Sequence, residues 1–84
     1  MTSVPETIPG MNRLDLADLI DQLRDNLKED PESWENPDLD RFLESLSAWT
    51  RDMDGVFLNR GEPLPEVPSW ELIADMLLAA RIYE

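Results

Sequence analysis

Residues 33–55, SWENPDLDRFLESLSAWTRDMDG, decide how this chain is read. From Leu39 onward, Leu39, Phe42, Leu43, Leu46, Trp49 and Met53 recur at steps of three and four, an apolar stripe over about a third of a helix circumference. The residues ahead of the stripe have the chemistry of a helix start. Asn36 is a favoured N-cap, because its side-chain oxygen accepts from an unpaired first-turn N–H, and Pro37 suits the first helical position, where no N–H is needed. Asp38 then stands where the helix dipole favours an anion. Gly55 supplies the positive φ common just past a helix end. The stretch predicts a helix over about 37–54, with Trp34, Asn36 and Pro37 as a structural helix-start cluster rather than a binding site. Position 40 is Asp, so Trp34 lacks a staple partner in that helix and is expected to pack at the corner between the first and second helices.

Working outward, residues 1–11 carry two prolines and a glycine without periodicity and read as a loose lead-in, with Val4 or Ile8 as its packing residues. Over about 12–30, Leu16, Leu19, Ile20, Leu23 and Leu27 recur at helical spacing while Asp18, Asp21, Asp25 and Glu29 fall on the opposite side; Pro31 stops the helix. On the other flank, residues 56–67, VFLNRGEPLPEV, predict an ordered irregular loop with one short turn over 56–59, anchored by Phe57 and Leu58. Ser69 then caps a third helix over about 69–83, whose charged residues are Glu71, Asp75 and Arg81, with the terminal Glu84 beyond them. So apolar a helix is expected at the centre, packed by both others. Leu78 and Ile82 lie beside the acids, which leaves them exposed, covered by the lead-in, or in a homomeric contact. The fold class is all-α: a compact three-helix domain over 12–84 with an ordered irregular loop between the second and third helices.

Eighty-four residues suffice for one small domain of modest stability. With no Cys and no His, disulfides, thiolate chemistry, the usual neutral-pH proton shuttle and the usual zinc ligands are excluded. No signal-peptide pattern opens the chain and no apolar run approaches the ~20 residues that span a bilayer, so the expectation is a cytoplasmic protein without membrane association. Nineteen acids against seven bases give a net charge of −12, which favours solubility and opposes nucleic-acid binding, since a phosphate backbone would be repelled.

Other constellations weaken on inspection. In TRDMDGVFLNRGE, setting Gly55 as the sixth calcium-loop position places Thr50, Asp52 and Asp54 as ligands, but the twelfth position is Gly61, where the bidentate carboxylate belongs. Paired carboxylates such as Asp40 and Glu44 occur throughout so acidic a chain and identify no acid–base pair. Trp49 and Trp70 sit on apolar helical faces and read as core. The expectation is a non-catalytic protein without cofactor or metal that acts by protein–protein interaction, as a monomer or weak homodimer. The face carrying Asp18, Asp21, Asp25 and Glu29 is the candidate docking surface for a basic protein partner, and otherwise a solvated surface. The rival readings are a small metal-binding or enzymatic domain and a homomeric structural unit.

Taken jointly, W-E-N at Trp34 to Asn36, L-x-x-F-L-E-x-L-x-x-W-x-x-D-M-x-G at Leu39 to Gly55, P-x-x-P-x-W at Pro65 to Trp70 and A-A-x-x-Y-E at Ala79 to Glu84 form a pattern of high specificity. It resembles a small bacterial family classified only as a domain of unknown function. The resemblance covers about residues 12–84 and implies no activity, ligand or partner.

Overall fold

The computed structural model describes residues 4–83. Helix α1 spans Arg13–Glu29, a single 3-10 turn follows at Pro31–Ser33, α2 spans Leu39–Arg60 and α3 spans Trp70–Ala80; among the described residues there is no strand. The all-α, three-helix expectation is met.

Each helix start has a local cause. Asn12 Oδ1 accepts from the N–H groups of Leu14 and Asp15, both at 2.9 Å, and the Asp15 carboxylate accepts from the Asn12 N–H at 3.0 Å, a reciprocal capping box. Ser69 caps α3 as expected, its hydroxyl accepting from the Leu72 N–H at 3.0 Å. The cap of α2 is Asp38, which accepts from the Arg41 N–H at 2.8 Å, and not Asn36. Asn36 is drawn instead to the end of α3, and Pro37 precedes the helix.

Helix α2 also runs past the expected stop. It passes through Gly55 to Arg60, because Val56 and Phe57 continue its apolar rhythm. Gly61 at φ +71° closes it, the Gly61 N–H donating to the Leu58 carbonyl and the Glu62 N–H to the Phe57 carbonyl, which is a Schellman cap. Residues 56–60, expected in the loop, are therefore helical, and the loop is the exposed segment 61–69.

As expected from its composition, α3 is the central helix. Both α1 and α2 pack on it, while the backbones of α1 and α2 do not come within packing distance of each other. Ala74 and Ala80, fully buried, allow close approach on α3, and Leu16, Leu19 and Leu23 of α1 join Met11, Trp34 and Ala74 in the core. The molecule measures 37 × 27 × 18 Å, so its thin dimension is about two helix diameters.

Several side chains lie elsewhere than the periodicity suggests. Trp70 is 44% exposed and Trp49 half-buried, so Trp70 is not core. Leu78 packs half-buried against the core while Ile82 is exposed. In the lead-in Val4 and Ile8 are exposed and Pro5 and Met11 are buried instead; the Thr7 hydroxyl donates to Asp75 Oδ1 at 2.6 Å, tying this segment to α3. Helix α3 ends at Ala80 rather than near residue 83, and Glu84 lies outside the described residues.

Gly55 within α2 and Gly61 just past its end make opposite predictions. A Cβ at Gly55 would meet nothing within 4 Å, and its backbone is helical. Gly55→Ala should stabilise the protein by about 0.5–1 kcal/mol in urea denaturation. Gly61→Ala, forced into the left-handed region, should destabilise it by about 1 kcal/mol. Were Gly55 the terminus of α2, the signs would be reversed.

Candidate functional site

Because α1 and α2 share α3 as a support without their backbones meeting, a gap remains between them, and residues 34 and 36–38 of the corner line it. Trp34 holds that corner. Its indole N–H donates to Asn26 Oδ1 at 2.7 Å, and Asn26, on the inner face of α1, is only 1% exposed. Burial makes this bond consequential, since an unpaired polar group here would keep its full desolvation cost. The Arg81 guanidinium lies 5.8 Å from the Trp34 ring centroid, and the Phe42 ring 6.1 Å away, tilted by 31°. Both distances suit attraction to an aromatic ring. The Arg81 guanidinium also donates through Nη1 to the Ser33 carbonyl at 3.1 Å.

Asn36 makes the second fixed point. Its backbone N–H donates to the Arg81 carbonyl at 3.1 Å, and its side-chain amide donates to the carbonyls of Ala80 and Tyr83 at 3.1 and 2.8 Å. The Ser45 hydroxyl, buried on α2, donates to the same Tyr83 carbonyl at 2.6 Å. A helix end leaves carbonyls without intrahelical partners, and here the corner and α2 supply the donors. The Tyr83 hydroxyl donates to Asp52 at 2.5 Å; this bond, followed by desolvation and the carboxylate charge, raises its pKa above the usual tyrosine value.

The resulting groove has a volume of about 310 Å³. Ile20, Leu23 and Leu27 form its α1 wall, Leu39 and Phe42 its α2 wall, with Leu77 of α3 below and Trp34 at one end. Ile20 is 40% exposed, Leu39 72% and Leu43, one turn beyond Leu39, 53%. The polar side chains on its lining are already engaged. Arg24 faces Asp21 at 4.0 Å, Asn36 binds the end of α3, and Asp38 caps α2 while pairing with Arg41 at 3.4 Å.

Asp18, Asp21, Asp25 and Glu29 are all exposed on α1, outside this lining. Trp34, Asn36 and Pro37, read from the sequence as helix-start punctuation, all line the groove. Asn26 and Ser45 were not singled out by sequence reasoning. The available signal was a polar residue in phase with a buried stripe: Asn26 follows Leu16, Leu19 and Leu23, and Ser45 follows Phe42. The D-x-D-G segment does not have the shape of a calcium loop, because residues 50–60 are helical. Thr50 donates back to the Leu46 carbonyl at 2.7 Å, as a hydroxyl within a helix does. Among the described residues no three or more of His, Cys, Asp and Glu are grouped to hold a metal ion, and no helix is long and apolar enough to cross a membrane.

Fold and groove together define a small all-α domain with an apolar cleft left open between two helices that share a central third. The model of the family of unknown function DUF7660 matches residues 12–84, and the chain belongs to that family. No curated protein and no solved structure matches the chain.

Two sets of variants test the corner. Asn36→Ala should cost about 2 kcal/mol, roughly two ordinary hydrogen bonds, and Asn36→Asp should cost more, because a carboxylate has no donor for the carbonyls of Ala80 and Tyr83. An N-cap would accept Asp as readily as Asn, so the rank order at neutral pH in urea melts identifies the role. Trp34→Ala should cost about 3–5 kcal/mol. Asn26→Leu should cost about 2 kcal/mol in the native background and measurably less beside Trp34→Phe, where the indole donor is gone; additivity of the two would show that the bond is not coupled.

Proposed function

We propose that this protein is a non-catalytic cytoplasmic module that binds another protein through the groove between α1 and α2. The observation that carries the reading is the groove itself: an apolar cleft whose walls keep Leu39 and Ile20 in water, with Leu43 exposed one turn beyond Leu39. Exposed contiguous apolar surface rimmed by polar residues costs solubility and favours association, and recognition grooves have this composition. A non-catalytic role is supported by a lining whose few polar side chains, Arg24, Asn36 and Asp38, each face a partner within the chain, and by a chain without His or Cys. The lack of Cys also fits a reducing compartment.

The acidic face of α1 has a different place in this reading. Its carboxylates point to water on the outer side of the helix, where they attract a basic partner from a distance without forming the contact surface. The same charge supports a monomer or weak homodimer, since two copies at −12 repel.

Capture from a native cell extract with three baits tests the proposal. Leu39→Ser, Leu43→Ser should lose at least about 90% of any protein retained specifically by wild type, with stability unchanged within about 0.5 kcal/mol because both positions are exposed. Asp21→Lys, Asp25→Lys should weaken retention mainly at low salt. Equal retention by the wild-type and leucine-variant baits would remove the groove from the function.

A further inference from the structure

Resting on that reading, the geometry and charge of the groove point to the form of its occupant: we infer that an amphipathic α-helix of the partner, with Lys or Arg flanking its apolar face, seats between α1 and α2 as a fourth helix. Shape argues first. The groove is walled by two helices whose backbone groups are already paired within each helix, so an extended segment entering it would find no edge on which to satisfy its own N–H and C=O groups. A helix brings those bonds with it. On α1 the wall runs from Ile20 to Leu27, about 10 Å or two turns, which matches anchors at i, i+3 or i+4 and i+7 on the incoming helix. Since α1 and α2 already flank α3, a helix lying between them completes the four-sided packing of a bundle.

Charge argues for the flanks. Asp38 stands at the groove beside Arg41, Asp21 follows Ile20 beside Arg24, and Asp40 follows Leu39, the last two about 100° around each helix from the apolar wall toward water, where the chain's net charge of −12 leaves the surroundings acidic. A helix seated here presents its flanking positions to these carboxylates. Arg24, on the α1 wall and paired to Asp21, leaves one position where the occupant takes an acid. A second copy of this chain does not meet the requirement: its seven bases are outnumbered by nineteen acids, and its amphipathic helix α1 carries acids on the face away from its stripe.

The test uses the full-length ¹⁵N-labelled protein and three synthetic peptides: a Leu/Lys peptide with helical amphipathic spacing, a Leu/Glu peptide with the same leucines, and a Leu/Lys peptide of identical composition in strict alternation. The helical Leu/Lys peptide is expected to give saturable shifts at Ile20, Leu39 and Leu77 and at the Trp34 indole N–H, with the Leu/Glu peptide at least about tenfold weaker. Leu39→Ser, Leu43→Ser should erase those shifts. If the Leu/Glu peptide fills the groove as tightly as the Leu/Lys one, the basic flanks are refuted while the groove reading stands. If the alternating peptide binds the groove equally well, the helical occupant is refuted. Shifts confined to Asp18, Asp25 and Glu29, or no shifts with any peptide, overturn both the occupant and the groove.

Discussion

The hydrogen bond from the Trp34 indole to the buried Asn26 amide is the constraint on which the rest of the structure depends. It joins the inner face of α1 to the corner that leads into α2. Through the Trp34 ring it reaches Phe42 at the start of α2 and Arg81 beyond the end of α3, so one side chain touches the packing of all three helices. Asn36, two residues on, fastens the same corner to the last carbonyls of α3. Both ties hold the corner whose residues Trp34, Asn36, Pro37 and Asp38 line the gap between α1 and α2.

Keeping the groove open has an energetic consequence. Burial of apolar surface yields about 25 cal/mol per Å²; Leu39 forgoes most of it, and Leu43 and Ile20 a large part, while facing water. Self-repulsion at −12 adds to the load on a domain of this size. The compensation is local and directional: a capping box on α1, side-chain caps on α2 and α3, a glycine-closed end on α2, and donors from Asn36 and Ser45 on the end of α3. Each such bond contributes on the order of 1 kcal/mol, and together they hold helices that share only a thin core.

Much of the fold was legible because it is written in local periodicity. The stripe of α1, the Ser69 cap and the central place of α3 follow from spacing and composition alone. Asn36 and Gly55 were misread for a shared reason: each residue type has more than one structural use, and the deciding partner is remote or lies further along the chain. Asn36 has both an acceptor, as an N-cap requires, and a donor, which the carbonyls of Ala80 and Tyr83, 44 and 47 residues away, in fact take. Gly55 and Gly61 are both fit to end a helix, and only the continued burial of Val56 and Phe57 selects the second. The groove had no local signature at all. It depends on two helices failing to meet, which no window of sequence records, although Leu39 and Phe42 of its α2 wall stand in the apolar stripe that the spacing shows.

The acidic face and the groove occupy different sides of α1: Asp18, Asp21, Asp25 and Glu29 are exposed and lie outside the groove lining. Carboxylates in water hold no partner tightly, since exposed ion pairs contribute about 0–1 kcal/mol and are screened beyond ~10 Å at moderate salt. Apolar walls bind only at contact. On this molecule the two lie at neighbouring angles of the same helix: Ile20, Leu23 and Leu27 of α1 face the groove, and Asp18, Asp25 and Glu29 face solvent behind them, with Asp21 between. On the proposed reading, a positively flanked helix meets a field that orients it before it meets the surface that retains it. Net charge on that reading supplies the discrimination and the groove the adhesion, a division that one amphipathic helix with an acidic back is enough to produce.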